Sequence, residues 1–210
     1  MNKWLYERSR ILAKYADKYP TIRDTVQFRF DYPDCGWINM CIFVNGEERD
    51  CVGLSSVYEP FEPLKKWLEG IVNRAETSEC SPCVVVIDCE SYKVSLHFEP
   101  IIFDWDDRDG KSLHPSYCGL FYVYDEAEDK IMAEGYCETA VFVRNVYLSI
   151  VQYAEEMKKK DSFVEEWVCD AYNSEICELD EHSEELKNFF LNRVKSEKIE
   201  NYINYGTTQQ

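Results

Sequence analysis

The stretch that decides the fold runs from Ser55 to Asn73, SSVYEPFEPLKKWLEGIVN. Pro60 and Pro63 suit the start and first turn of a helix, where a missing N–H leaves no bond unmade. Leu64, Trp67, Leu68, Ile71 and Val72 then recur at i, i+3, i+4, i+7 and i+8, a single apolar stripe at helical period. A tryptophan and four aliphatics on one face predict a helix laid across a sheet. The stretch supplies packing and carries no chemistry of its own.

Upstream of it, residues 2–19 read as an amphipathic helix with Trp4, Leu5, Arg8, Ile11, Leu12, Tyr15 and Tyr19 on one face, the Arg8 stem lying along it, and Pro20 closing it. Residues 25–32 alternate as a strand with Val26, Phe28 and Phe30 together. Residues 33–36 turn, and residues 37–44 form a second strand. Asn45-Gly46 then gives a tight hairpin signal, so residues 47–54 are the third strand.

Downstream, residues 83–88 and 91–98 predict an antiparallel pair, a short strand follows Pro100, and residues 120–124 and 130–137 predict a second pair. Thr139 is positioned to cap a long helix with Phe142, Val146, Tyr147, Ile150, Val151, Ala154 and Met157 inward. A further helix is expected from Asp161 or Ser162, with Phe163, Val164, Trp167, Val168 and Ala171 inward. Another is expected from about Ser183, with Leu186, Phe189, Phe190 and Val194 inward. The last ten residues, NYINYGTTQQ, read as a frayed tail. The strands lack the regular alternation with helices that a parallel sheet needs. The expectation is an α+β protein: antiparallel sheet built of meanders and hairpins, packed helices, and a C-terminal helical section. Residues 1–160 form the core, with 161–210 packed on it as an acidic section, or 1–205 form one domain.

The chain has 210 residues, long enough for a sizeable core, and 45% of them are hydrophobic, which excludes a disordered acidic tail despite a net charge of −17. Charges interrupt the N-terminus throughout and no apolar run approaches membrane length, so the expectation is a soluble cytoplasmic protein. In that compartment the ten cysteines should be reduced, mostly buried thiols; Cys41, Cys89 and Cys137 sit in apolar or β-like runs. The acidity is uneven. Residues 88–138 carry a net −9, and 161–185 hold ten carboxylates with no Lys or Arg. Such a surplus repels nucleic acid and anionic membranes and suits a basic protein partner. It also suits mere solubility.

Motifs for chemistry are weak. Cys80-Ser-Pro-Cys83 precedes a strand where a redox site should follow one, and it lacks a second pair for zinc, Cys89 and His97 being spaced wrongly. The run Asp104, Asp106, Asp107, Asp109, Gly110 resembles a calcium loop, but Trp105 and Ser116 would fall at ligand positions they cannot serve. His97, His114 and His182 have no partner in a recognisable motif. There is no P-loop, G-x-G-x-x-G or H-E-x-x-H. No cofactor, resident metal or catalytic residue is therefore expected. Between Asp161 and Glu185, apolar side chains interleave with carboxylates. The candidate partner-binding residues are Asp161, Glu165, Glu166, Trp167, Asp170, Tyr172, Glu175, Glu178, Asp180 and Glu181.

The stretch at 55–73, following a strand that ends in Cys51-Val52-Gly53-Leu54, resembles a segment of small acidic bacterial proteins of uncharacterised or toxin-immunity type. In these a strand is followed by a serine, an aromatic-Pro-Phe turn and a helix carrying a tryptophan. The resemblance covers about residues 50–73. It implies a fold and a role, binding and blocking a partner that is often a basic nuclease toxin, and carries over no functional residues. The leading expectation is a non-enzymatic cytoplasmic protein that neutralises a basic partner, either a toxin or a nucleic-acid-handling protein. Two alternatives stand beside it: an enzyme with a carboxylate-built, possibly metal-dependent site, and an acidic mimic of nucleic acid. The oligomeric state is not legible.

Overall fold

The computed structural model describes residues 3–16, 23–100, 118–160, 163–167 and 184–206. Two antiparallel sheets form the frame. The first joins β1 (Val26–Phe30), β2 (Trp37–Val44) and β3 (Glu47–Ser55); the second joins β4 (Cys83–Asp88), β5 (Lys93–Pro100), β6 (Cys118–Asp125) and β7 (Lys130–Glu138). Around them lie helices α1 (Lys3–Ala16), α2 (Phe61–Thr77), α3 (Thr139–Met157), α4 (Phe163–Glu166), α5 (Glu184–Val194) and α6 (Glu197–Gly206). The fold is α+β, with two sheets where a continuous one would also have matched the pattern.

Each strand sits where its alternation put it. Val26 and Phe28 of β1, with Ile38, Met40, Ile42 and Val44 of β2, are buried on the inner face. Asn45 and Gly46 both take positive φ, the conformation a tight hairpin between right-twisted strands requires. Cys35 and Gly36 do the same in the turn before β2. In the second sheet, Val94, Leu96 and Phe98 face the same core, and Gly119 on β6 leaves room for the Phe98 ring, which a β-carbon there would meet at 2.4 Å.

The α2 stripe is buried as the spacing predicts: Leu64, Trp67, Leu68, Ile71 and Val72 are all 4% exposed or less. Glu59 completes the start of the helix, its carboxylate accepting from the Phe61 and Glu62 amides at 2.9 Å. Phe61, the first helical residue, is fully buried among aromatics from three other elements and Trp167, just past α4. Its ring lies 5.7 Å from Phe30 of β1, 5.9 Å from Tyr153 of α3, 6.0 Å from Trp167 and 5.0 Å from Phe190 of α5.

A smaller apolar cluster lies under α1, where Ile11 and Tyr15 cover Cys118, Leu120, Tyr122 and Tyr136. Arg8 does more than lend its stem: its guanidinium forks onto Glu99, 2.9 Å from Nε and 2.6 Å from Nη2, and Glu99 is only 2% exposed. Asp24 ties the two sheets together. Its carboxylate accepts from the Tyr136 amide on β7 at 2.9 Å and from the Asn45 side chain in the β2–β3 turn at 2.7 Å.

Three local expectations need correction, and two others fall partly or wholly outside the described residues. Thr139 is the first residue of α3 and not its cap; Glu138 holds that position without a capping side-chain bond. The tail is helical as far as Gly206: the chain breaks at Lys195-Ser196 and resumes as α6, with Ile199 fully buried and Tyr147 of α3 donating to Glu200 at 2.9 Å. The helix from residue 161 or 162 spans only Phe163–Glu166 among the described residues, and the strand after Pro100 lies outside them. Finally, Cys41 and Cys51 form a disulfide, so Cys41 is not one of the buried thiols. Cys83, Cys89, Cys118 and Cys137 are buried and free. Burial pushes the Cys83 and Cys89 thiols up to about 11.

Phe61→Ala should lower unfolding stability by about 3–5 kcal/mol, because α2, β1, α3, α5 and Trp167 lose one shared contact, while Tyr58→Ala at a site 46% exposed should change it by less than about 0.5 kcal/mol. Urea denaturation followed by far-UV circular dichroism reads both.

Candidate partner-binding surface

One end of the first sheet carries the exposed aromatic groups that a docking surface needs. Tyr32 is 42% exposed and Trp37 39%, on either side of the turn Pro33-Asp34-Cys35-Gly36. Trp37 starts β2 on its solvent face, since Ile38 occupies the buried one. Its indole rests on the β3 backbone at Gly53, where a β-carbon would lie 3.5 Å from Cε3 and Cζ3. Glycine at this position lets the ring lie against the strand with its outer side to solvent.

Carboxylates flank the two aromatics in the chain and bind the turn between them. Asp31 and Asp34 are exposed, and the Asn39 amide donates to Asp31 Oδ2 at 3.3 Å. Glu166, at the end of α4, closes over the turn: its carbonyl accepts from the Gly36 amide at 2.9 Å and its Oε2 from the Cys35 amide at 3.4 Å. Asp34, first as hydrogen-bond partner and then as a charge, pushes the Cys35 thiol up, and Glu166 adds to the effect. Cys35 therefore stays protonated at neutral pH. The Lys160 ammonium lies 5.7 Å from the Tyr32 ring centroid, a cation already held by this aromatic face.

Of the ten acidic-segment residues singled out in the sequence, only Glu166 and Trp167 have described side chains. Glu166 belongs to the surface just built. Trp167 is 3% exposed and packs edge-on against Phe61, so it anchors the segment to the core and offers no surface contact. Glu165 lies in α4. Asp161, Asp170, Tyr172, Glu175, Glu178, Asp180 and Glu181 lie outside the described residues, as do His114, His182 and the Asp104–Asp109 loop. Sequence reasoning passed over Tyr32 and Trp37. Their signal was the alternation itself, which sets Trp37, Asn39, Cys41 and Phe43 on the face opposite Ile38, Met40, Ile42 and Val44.

The strongest constellation for catalysis is buried. His97 Nε2 and Ser95 Oγ are 2.9 Å apart on β5, and the imidazole stacks on Tyr122 at 4.5 Å. Glu99, two residues on, is taken up by Arg8 and by Tyr122, whose hydroxyl donates to it at 2.7 Å. Ser95, His97, Glu99 and Tyr122 are all 7% exposed or less. Cys80 is exposed and Cys83 buried, so Cys80-Ser-Pro-Cys83 does not present a paired redox site. A groove of about 380 Å³ beside α1 contains Arg10 and Lys14, but both are paired with Glu134. No helix among the described residues is long and apolar enough to cross a membrane. Comparison with family models, curated proteins and solved structures returns no match.

Burial pushes the His97 imidazole down to about 4, the Glu99 charge opposing this only in part. The unfolded chain therefore binds the extra proton first, and the stability from neutral His97 is intact above about pH 6.5 and is lost as pH falls through about 4. His97→Gln should remove that loss. The difference in urea midpoint between wild type and variant should narrow or reverse from about pH 7 to about pH 4.

Proposed function

We propose that this chain is a non-enzymatic binding protein that holds a basic protein partner on an acidic, aromatic surface. The observation that carries the reading is the exposed pair Tyr32 and Trp37, with Asp31 and Asp34 beside them in the chain and Glu166 on the turn between them. Long-range attraction from the carboxylates speeds encounter with a Lys- or Arg-rich surface, and the aromatic rings supply desolvated contact and cation–π attraction once it arrives. The net charge of −17 acts in the same direction. A toxin-immunity role, a cytoplasmic setting and a bacterial source belong to this proposal, and they rest on the short resemblance around residues 50–73 together with the charge.

The test is capture from native host lysate on the immobilised chain at low and at high salt, followed by affinity measurement with the identified protein. The expected result is a basic protein retained at low salt and weakened by added salt. Trp37→Ala should loosen it about tenfold or more, and the double variant Asp31→Lys, Asp34→Lys should slow association. Retention of nothing basic, or binding indifferent to both salt and Trp37→Ala, sinks the reading.

A further inference from the structure

Further along the same outer face of the first sheet, Cys41 of β2 and Cys51 of β3 stand directly opposite each other, their Cα atoms 4.1 Å apart. Both are half-buried, with one side open to solvent. Glu48 joins them. Three residues from Cys51 in a regular strand, it would point to the opposite face. A bulge prevents this: Cys51 pairs with Cys41 and Asp50 with Ile42, but Glu48 pairs with Phe43, leaving Arg49 as the extra residue. The irregularity brings the Glu48 carboxylate to 3.7 Å from Cys51 Sγ and places an oxygen and both sulfurs within 4.8 Å of one another. Arg29, opposite Cys41 on β1, holds its guanidinium 4.2 Å above the Phe43 ring on the same outer face.

The disulfide bridges two strands that the hairpin ladder also pairs. It spans a sequence separation of 10, and those residues are already closed by the Asn45-Gly46 turn and a ladder from Trp37–Ser55 to Val44–Glu47. A loop this short constrains the unfolded chain less than a long one would, and the ladder holds the two strands in register when the bond is open. The pair is half-buried with one side to solvent, so a small thiol can reach it.

We propose that reduction of Cys41–Cys51 opens a two-thiolate, one-carboxylate site for a thiophilic divalent cation of the zinc class, with Cys41, Cys51 and Glu48 as ligands and a fourth position left to water. A thiol of the glutathione class supplies the two electrons. Two of its thiols leave as a disulfide, and the protein S–S bond becomes two thiols. Cation binding then releases both thiol protons, so affinity rises with pH. Tetrahedral zinc with Zn–S near 2.3 Å needs sulfurs about 3.8 Å apart, a separation that rotation about two Cα–Cβ bonds reaches from this register. Thiolate donors select zinc over magnesium or calcium, which prefer all-oxygen shells. Disulfide and cation exclude each other, so the site reports both redox state and metal supply. This inference stands apart from the proposed partner binding and survives its failure.

The test uses the full chain, reduced, freed of reductant and titrated with cobalt(II) without oxygen, reading the thiolate-to-cobalt charge-transfer band. One equivalent should bind to reduced protein, zinc should displace it, and the oxidised protein should give no band. Cys41→Ser and Cys51→Ser should each abolish the band, and Glu48→Gln should weaken binding about tenfold or more. The double variant Cys35→Ser, Cys80→Ser, which removes the exposed free thiols among the described residues, should bind as wild type. Absence of a band in reduced wild type, its survival in Cys41→Ser or with Glu48→Gln unchanged, or its loss in the Cys35/Cys80 variant overturns the site. Because the oxidised and reduced wild types share one sequence, their comparison decides the matter even if a cysteine variant does not fold.

Discussion

Phe61 is the point at which the separate parts of this chain are held to one another. Its ring meets β1 through Phe30, α3 through Tyr153, α5 through Phe190 and the acidic segment through Trp167. It can do so because it opens α2, where Glu59 fixes the helix start and Pro60 forces the chain to turn in just before it. Buried aromatic clusters of this kind combine large area with restricted geometry, so each ring constrains its neighbours. The position of Trp167 then determines that of Glu166, and Glu166 lies on the turn between Tyr32 and Trp37. The candidate surface is thus a consequence of the core beneath it.

Charge in this protein is handled in two ways. Where a carboxylate is buried, it is saturated: Glu99 takes the Arg8 fork and the Tyr122 hydroxyl, and Asp24 takes a backbone amide and the Asn45 amide. Leaving either unpaired would carry the full desolvation penalty of a buried charge. Where carboxylates are exposed, as at Asp31 and Asp34, they form no salt bridge among the described residues, and the field reaches into solvent. Glu62, between Lys66 and Arg193, lies between these cases; the two cations hold its carboxyl below the usual range and tie α5 to α2.

The two proposals occupy one face of one sheet for a common reason. A three-stranded antiparallel sheet with a buried side must present its alternate residues to water, and here those residues include Trp37, Asn39, Cys41 and Phe43 on β2. Most solvent faces of sheets carry Lys, Glu and Thr. A tryptophan, a disulfide and a phenylalanine under an arginine make this one chemically distinct from the rest of a largely acidic surface.

The sequence by itself determined the elements whose periodicity is unbroken. The α2 stripe, the three-strand meander with its Asn45-Gly46 turn, and the long helix after residue 138 follow from local pattern, because one buried face fixes phase at period two or 3.6. The apolar or β-like runs also placed the free thiols of Cys89 and Cys137 inside. What depended on long-range geometry only the tertiary structure decided. Splitting seven strands into two sheets is a matter of which edges meet, and no local pattern records it. The Cys41–Cys51 pairing follows from register, and Glu48 reaches it through a bulge that alternation cannot announce. Arg8 finds Glu99 across 91 positions. Trp167 lay in an acidic run that suggested a contact surface, and the core claimed it because Phe61 offered more apolar area than solvent could.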